Sequence, residues 1–276
     1  MQIQNNVAIQ RYNLVRDEVK EKSPEMWELV IKLCKAAPDQ VIAEHVWKFG
    51  RDKPCWSNIK VNIGERIAAD ISRSNAFNSF ETIAGDEWKI VMKSTGTRWK
   101  ANNNFELVGS AVQEFVSGVP KGGIASYLWK LYAIRNLAIA LRDDPVIRKM
   151  VADLSVQGRI PATDLKKWTQ QFADRAGMGW GVVTVYHMLT DLGLTAKPDL
   201  HLKKSAIRMG LLSPKIPANY PEESFENVSD HDIVLSVMSL SEVIVATACP
   251  EKPNTSLREA DKILMEWSRQ GLARAF

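Results

Sequence analysis

Cysteine is scarce in this chain, three among 276 residues, and the three stand far apart as Cys34, Cys55 and Cys249. An odd, dispersed set excludes a fully paired disulfide framework. No Cys-x-x-Cys pair suggests a zinc site, and fewer than four thiols cannot hold a Cys-only iron–sulfur cluster. Reduced, buried thiols are the expectation. Long apolar runs are missing too, since no stretch approaches the roughly 18 residues of a membrane helix. The opening residues, Met1 to Asn6, have neither the basic start nor the apolar core of a secretory signal. A cytoplasmic location with no membrane partner is therefore expected. Internal repeats, low-complexity tracts and long linkers are absent as well.

What is present is an ordinary globular composition, 45% hydrophobic and 25% charged. The net charge of +4 and a sequence pI near 8.9 are compatible with a nucleic-acid partner. Many inert proteins are equally basic, so the position of the charge matters more than its sum.

Most of the chain reads as helix, and the fold class expected is mainly α. Ser23-Pro24 is a helix start followed by Trp27, Val30, Ile31 and Cys34 at helical spacing. Pro38-Asp39 restarts a segment carrying Val41, Ile42 and Val46. Residues 126–142 place Leu128, Leu131, Ile134, Leu137 and Leu141 along one side, the pattern of a central buried helix. Thr163-Asp164 opens another helix with Leu165, Trp168 and Phe172 inward. Ser256 and Glu259 have the spacing of a capping box for a last helix with Leu257, Ala260, Leu264 and Trp267 inward. Residues 243–248 are apolar enough for either a strand or a buried helix. Turn formers mark breaks at 94–104, 119–123 and 214–221. The expected organisation is one unit over 1–276: a helical part over 1–160, a motif segment over 161–212 and C-terminal helices over 213–276.

The motif segment is the informative one. Gly177-Met178-Gly179-Trp180-Gly181 lies between a polar amphipathic helix and an apolar segment over 182–192. Two glycines separated by one hydrophobic residue allow a tight helix reversal, because glycine tolerates positive φ while the apolar side chain plugs the core. The unpaired N–H groups at the next helix start then suit a phosphate. A dinucleotide loop is excluded, because no buried strand precedes the glycines. An ordinary helix–helix turn remains open. Asp199, 18 positions beyond Gly181, opens a further helix in Lys197-Pro198-Asp199-Leu200-His201-Leu202-Lys203-Lys204. An aspartate there is most often only an N-cap.

Over residues 168–212 the sequence resembles the helix-hairpin-helix DNA glycosylases. Gly177-Met178-Gly179 matches their hairpin, Gly193 their Gly/Pro-rich stretch, Pro198-Asp199 the end of their signature, and His201 a histidine common in several branches. The resemblance implies two helical subdomains flanking a DNA-binding cleft, with Asp199 as the catalytic carboxylate. A fixed carboxylate stabilises the oxocarbenium character that develops as a base leaves deoxyribose. Gly181 stands where some members carry a nucleophilic lysine, and residues 182–192 contain none. A monofunctional enzyme that leaves an abasic site is implied.

The partner implied is double-stranded DNA with an extruded base, with no obligate protein partner. DNA contacts are expected at Gly177, Gly179, Trp180, Gly181, His201, Lys203, Lys204, Arg98 and Lys100, with Arg208 beside the cluster. Trp99, Asn103 and Trp129 are candidates for the wedge or the base pocket. No cofactor is required, although the resemblance implies a monovalent or divalent cation on the backbone of Gly177 and Gly179. Excision of damaged bases in repair and excision of modified bases, including glycosylated cytosine in phage DNA, are both compatible with this motif. A non-catalytic helix-hairpin-helix protein that only binds DNA is the alternative.

Overall fold

The computed structural model describes residues 2–96, 98–212, 216–217, 219–252 and 255–276, and the side chains from residue 6 onward. The fold is mainly helical, with one small sheet. Two compact units divide it: a terminal unit of residues 1–39 and 189–276, and a central unit of residues 40–188. The boundary at 188/189 falls inside the motif segment. No described helix is long and apolar enough to cross a membrane.

The terminal unit holds α1 (Gln2–Lys22), α2 (Pro24–Ala36), α11 (Leu200–Arg208), α12 (Asp230–Ser241) and α13 (Ser256–Arg269). Proline at the first position of α2 fixes φ where no intrahelical N–H bond is required. Val30 and Cys34 then face a core shared with Tyr12, Val15, Leu202 and Ile207. The innermost helix is α13, whose Ala260, Ile263, Leu264 and Trp267 are fully buried. Each large apolar side chain so placed contributes about 1.5–3 kcal/mol.

The expected capping box does not form. Thr255 takes the N-cap position and Ser256 Oγ donates to Ser241 O at 2.9 Å. Glu259 is fully buried instead, and it accepts the N–H groups of Thr247 and Ala248, both at 2.7 Å, and the Tyr12 hydroxyl at 3.0 Å. That also settles residues 243–248, which are neither strand nor helix. Their irregular backbone is satisfied by a carboxylate from α13.

The central unit holds α3 (Ala43–Gly50), α4 (Val61–Arg73), α5 (Phe80–Ala84), α6 (Ser110–Gly118), α7 (Leu128–Asp143), α8 (Pro145–Gln157), α9 (Leu165–Ala176) and most of α10 (Val182–Asp191). Helix α7 is the core element, packed by α3, α5, α8 and α9, and it buries all five leucine and isoleucine residues of its expected stripe. Helix α3 starts at Ala43, later than the Pro38-Asp39 signal, which leaves Ile42 partly exposed. Strands β1 (Ile90–Met92) and β2 (Phe105–Leu107) pair antiparallel, Val91 opposite Glu106, and carry the 94–104 loop at their ends. All three cysteines are buried free thiols, and burial pushes Cys34 up to about 12.

Candidate functional site

The hairpin lies in the central unit, between α9 and α10. Gly177 and Gly179 both adopt positive φ, +78° and +95°, as a reversal of this length requires. Gly179 has a second reason to be glycine. A Cβ there would lie 2.3 Å from Ala133 Cβ, so the turn packs directly on α7. Asn136 of α7 donates to Met178 O at 3.1 Å, and Gly177 O accepts the Trp180 N–H at 3.0 Å. The Gly177 carbonyl, one of the two expected to hold a cation, is thus engaged within the protein. Gly181 is exposed, and a Cβ there meets nothing among the described residues within 4 Å.

Trp180 corrects the DNA-contact expectation. Its ring is buried and its indole N–H donates to Ala133 O at 2.9 Å, so it plugs the turn against α7. The sequence places tryptophan in the hairpin without indicating which way the ring turns.

Loop 94–104 of the same unit is built around its asparagines. Asn102 bridges to Ala125 O and to the Leu128 N–H, while Asn104 donates to Arg98 O. Asn103 is left exposed between them. Trp99 is half-buried, edge-on to Trp129 at 5.6 Å, and Trp129 is itself buried. The Lys100 ammonium lies 4.9 Å from the Trp129 ring centre. Arg98 and Lys100 are exposed and form no ion pair among the described residues. Trp99, with its ring packed against Trp129, is less suited to a wedge than Asn103.

Beneath this pair lies Lys130, a residue the sequence did not single out. Its ammonium is buried and donates to Pro54 O at 2.7 Å, Cys55 O at 3.1 Å and Ser57 O at 2.7 Å. Burial, with Lys100 adding to it, pushes its pKa down to about 8, so it remains charged at neutral pH. All three ammonium hydrogens are spent on the backbone.

Asp199 lies in the terminal unit at the start of α11. Oδ1 accepts the Leu202 N–H at 2.9 Å, the bond of a helix N-cap. Oδ2 stands 3.7 Å from Lys197 Nζ, and the carboxylate is one-quarter exposed. One oxygen is thus anchored while the other faces the Lys197 ammonium and solvent. His201 is exposed, with Nδ1 3.1 Å from Ser268 Oγ.

The lysines after it do not form the open basic cluster expected. Lys203 is buried, pairs with Asp230 at 2.6 Å and donates to Val228 O at 3.0 Å. Lys204 pairs with Glu222 at 2.9 Å, and Arg208 reaches the same carboxylate while lying over the Phe225 ring. These cations draw Glu222 below the usual carboxylate range. Residues 222–230 thus supply the acids that neutralise α11, which helical spacing could not foresee.

The sequence also missed Asp261. This buried α13 carboxylate accepts the Lys197 N–H at 2.8 Å and lies 3.5 Å from Arg258, which in turn pairs with Asp191 at 2.6 Å. Burial pushes Asp261 up to about 6 despite the guanidinium, and Asp199 adds to the rise.

Two clefts in the central unit, about 290 Å³ beside Met150, Arg159 and Trp168 and about 440 Å³ beside Phe80, Leu141 and Val151, include none of the expected site residues. No group of three His, Cys, Asp or Glu among the described residues has a metal-binding arrangement. Compared with known proteins, the chain matches no family model, no curated protein and no solved structure.

Proposed function

We propose that this protein is a monofunctional DNA N-glycosylase with Asp199 as its reacting carboxylate. Water adds to the anomeric carbon of a damaged or modified nucleotide, the bond to the base breaks, and the base leaves with the bonding electrons and a proton. An abasic site remains in an intact strand. The observation that carries the reading is the Asp199 carboxylate itself. A helix N–H holds one oxygen, the helix dipole favours its charge, and the group still reaches solvent. A negative charge so fixed is what an oxocarbenium-like transition state requires.

Three further observations support the reading. Gly177 and Gly179 adopt the positive φ that a tight reversal between two helices needs. Arg98 and Lys100 are exposed cations with no ion pair among the described residues, which suits them to phosphate. Helix α10 contains no lysine, and position 181 is an open glycine. Because Lys197 lies beside Asp199, it is the amine that a test for strand cleavage must consider.

A non-catalytic DNA-binding protein is the second reading, favoured by the N-cap bond, which alone accounts for an aspartate at this place. Asparagine caps helices as well as aspartate does. Asp199→Asn therefore removes the charge and keeps the helix. The experiment incubates wild type and Asp199→Asn with duplexes carrying oxidised or alkylated bases or glucosylated 5-hydroxymethylcytosine, and assays free base. Release by wild type, lowered at least about 100-fold in the variant with DNA affinity within threefold, is expected. Equal release by both proteins removes Asp199 from the chemistry, and tight binding without any release favours the second reading. Borohydride should trap no protein–DNA adduct on the duplex from which base is released, and an adduct lost in Lys197→Ala would assign a lyase step to that amine.

A further inference from the structure

The charged groups of α13 stand out because that helix is the innermost of its unit. An innermost helix is expected to be apolar, and a buried carboxylate survives only with bonds that offset its desolvation. Asp261 has two such partners, and both tie it to the motif. Its Oδ1 accepts the N–H of Lys197, two residues before Asp199. Its other oxygen faces Arg258, whose guanidinium also pairs with Asp191 in the last turn of α10. One arginine–carboxylate pair on α13 thus joins the end of the second hairpin helix to the turn that presents Asp199.

We propose that Asp261 is a positioning residue for Asp199, holding the Lys197–Pro198–Asp199 turn in register from α13 through its bond to the Lys197 amide. The inference rests on the reading of Asp199 as the reacting carboxylate. Pro198 is buried and lacks an N–H, so the turn cannot be anchored by a backbone donor at that position. The amide of Lys197 is the donor just before it, and Asp261 is its acceptor. Asp261 also acts on the site as a charge. Arg258 and Lys262 on its own helix favour its ionised form, Asp199 from the start of α11 opposes it, and Asp191 shares Arg258. Its midpoint near 6 puts the change of state within reach of an ordinary titration.

The test uses the full chain as wild type, Asp261→Asn, Asp261→Ala and Asp199→Asn. Exchange of the Lys197 amide should quicken at least tenfold in Asp261→Ala and stay unchanged in Asp199→Asn. In wild type the Lys197 amide resonance should titrate with a midpoint near 6, and in Asp261→Asn that titration should vanish. On duplex DNA from which wild type releases base, Asp261→Ala should release base at least about 30-fold more slowly. Its affinity for a duplex with a tetrahydrofuran abasic analogue should stay within threefold. Asparagine, which keeps an acceptor for the amide, should recover most of the rate. If Asp261→Ala proves unfolded, the isosteric Asp261→Asn carries the titration arm alone. An unchanged Lys197 amide in a folded Asp261→Ala, or persistence of the titration in Asp261→Asn, overturns the proposal. Absence of base release by wild type would overturn the reading of Asp199 instead, while amide exchange would still decide whether Asp261 holds the turn.

Discussion

Lys130 in the central unit and Glu259 in the terminal unit are each buried against an irregular stretch of backbone, and the two have opposite signs. In the central unit Lys130 gives its three hydrogens to the carbonyls of Pro54, Cys55 and Ser57. In the terminal unit Glu259 accepts the N–H groups of Thr247 and Ala248. The 3₁₀ turn Lys53–Trp56 and the residue after it turn carbonyls toward α7, whereas Thr247 and Ala248 turn N–H groups toward α13. The sign of the buried charge follows from which backbone group needs a partner. Both side chains project from the innermost helix of their unit.

The units also differ in net charge. The central unit carries 20 Lys and Arg against 14 Asp and Glu, hence +6, and the terminal unit 16 against 18, hence −2. The chain's modest +4 is therefore the sum of a basic unit that holds the hairpin and the 94–104 loop, and a slightly acidic unit that holds Asp199. Under the proposed function, phosphate contacts fall to the central unit.

The largest stability effect expected is that of Lys130→Met, which removes the donor shared by the carbonyls of Pro54, Cys55 and Ser57. A loss of about 3 kcal/mol is expected in urea unfolding. Amide exchange should quicken around residues 53–57 and stay slow around 247–248. Uniform loosening of both segments would mean that the units do not keep their buried ions independently.

Glu259→Gln should cost less, about 2 kcal/mol, because the amide keeps one acceptor oxygen for the Thr247 and Ala248 N–H groups. Exchange should quicken at 247–248 with residues 53–57 unaffected. The Tyr12 hydroxyl, raised well above its ordinary pKa by burial and then by Glu259, should titrate at lower pH in this variant, as ultraviolet difference spectra would report. An unshifted Tyr12 titration would break the pairing with Glu259.

The smallest effect concerns DNA. Arg98→Ala and Lys100→Ala should each lower the slope of log affinity against log salt by about 1. Lys203→Ala should leave the slope unchanged and lower stability, since its ammonium is spent on Asp230 and Val228. Anisotropy of a labelled duplex over a salt series measures all three. A reduced slope for Lys203→Ala with normal stability would reverse the charge assignment between the units.

Local features of this protein were legible in its sequence. The stripe from Leu128 to Leu141 is buried as its spacing implied, because a 3.6-residue period depends on neighbours within two turns. Gly177 and Gly179 have positive φ because a reversal of that length demands it, and Asp199 caps the helix that follows it. The two strands escaped notice because three residues are too few to display alternation. Ser256 and Glu259 had the spacing of a capping box, yet the glutamate is drawn to backbone groups of another segment. The direction of Trp180, the burial of Lys203, and the roles of Lys130 and Asp261 likewise came only with the tertiary structure. Trp180 meets its acceptor 47 residues away, Lys203 its carbonyl 25 away, Asp261 its amide 64 away and Lys130 its farthest carbonyl 76 away. Backbone sterics and helical period act over a few residues and can be read in order along the chain. Whether a charged side chain meets water or a buried peptide group depends on which distant segment packs opposite it, and only the packed chain decides that.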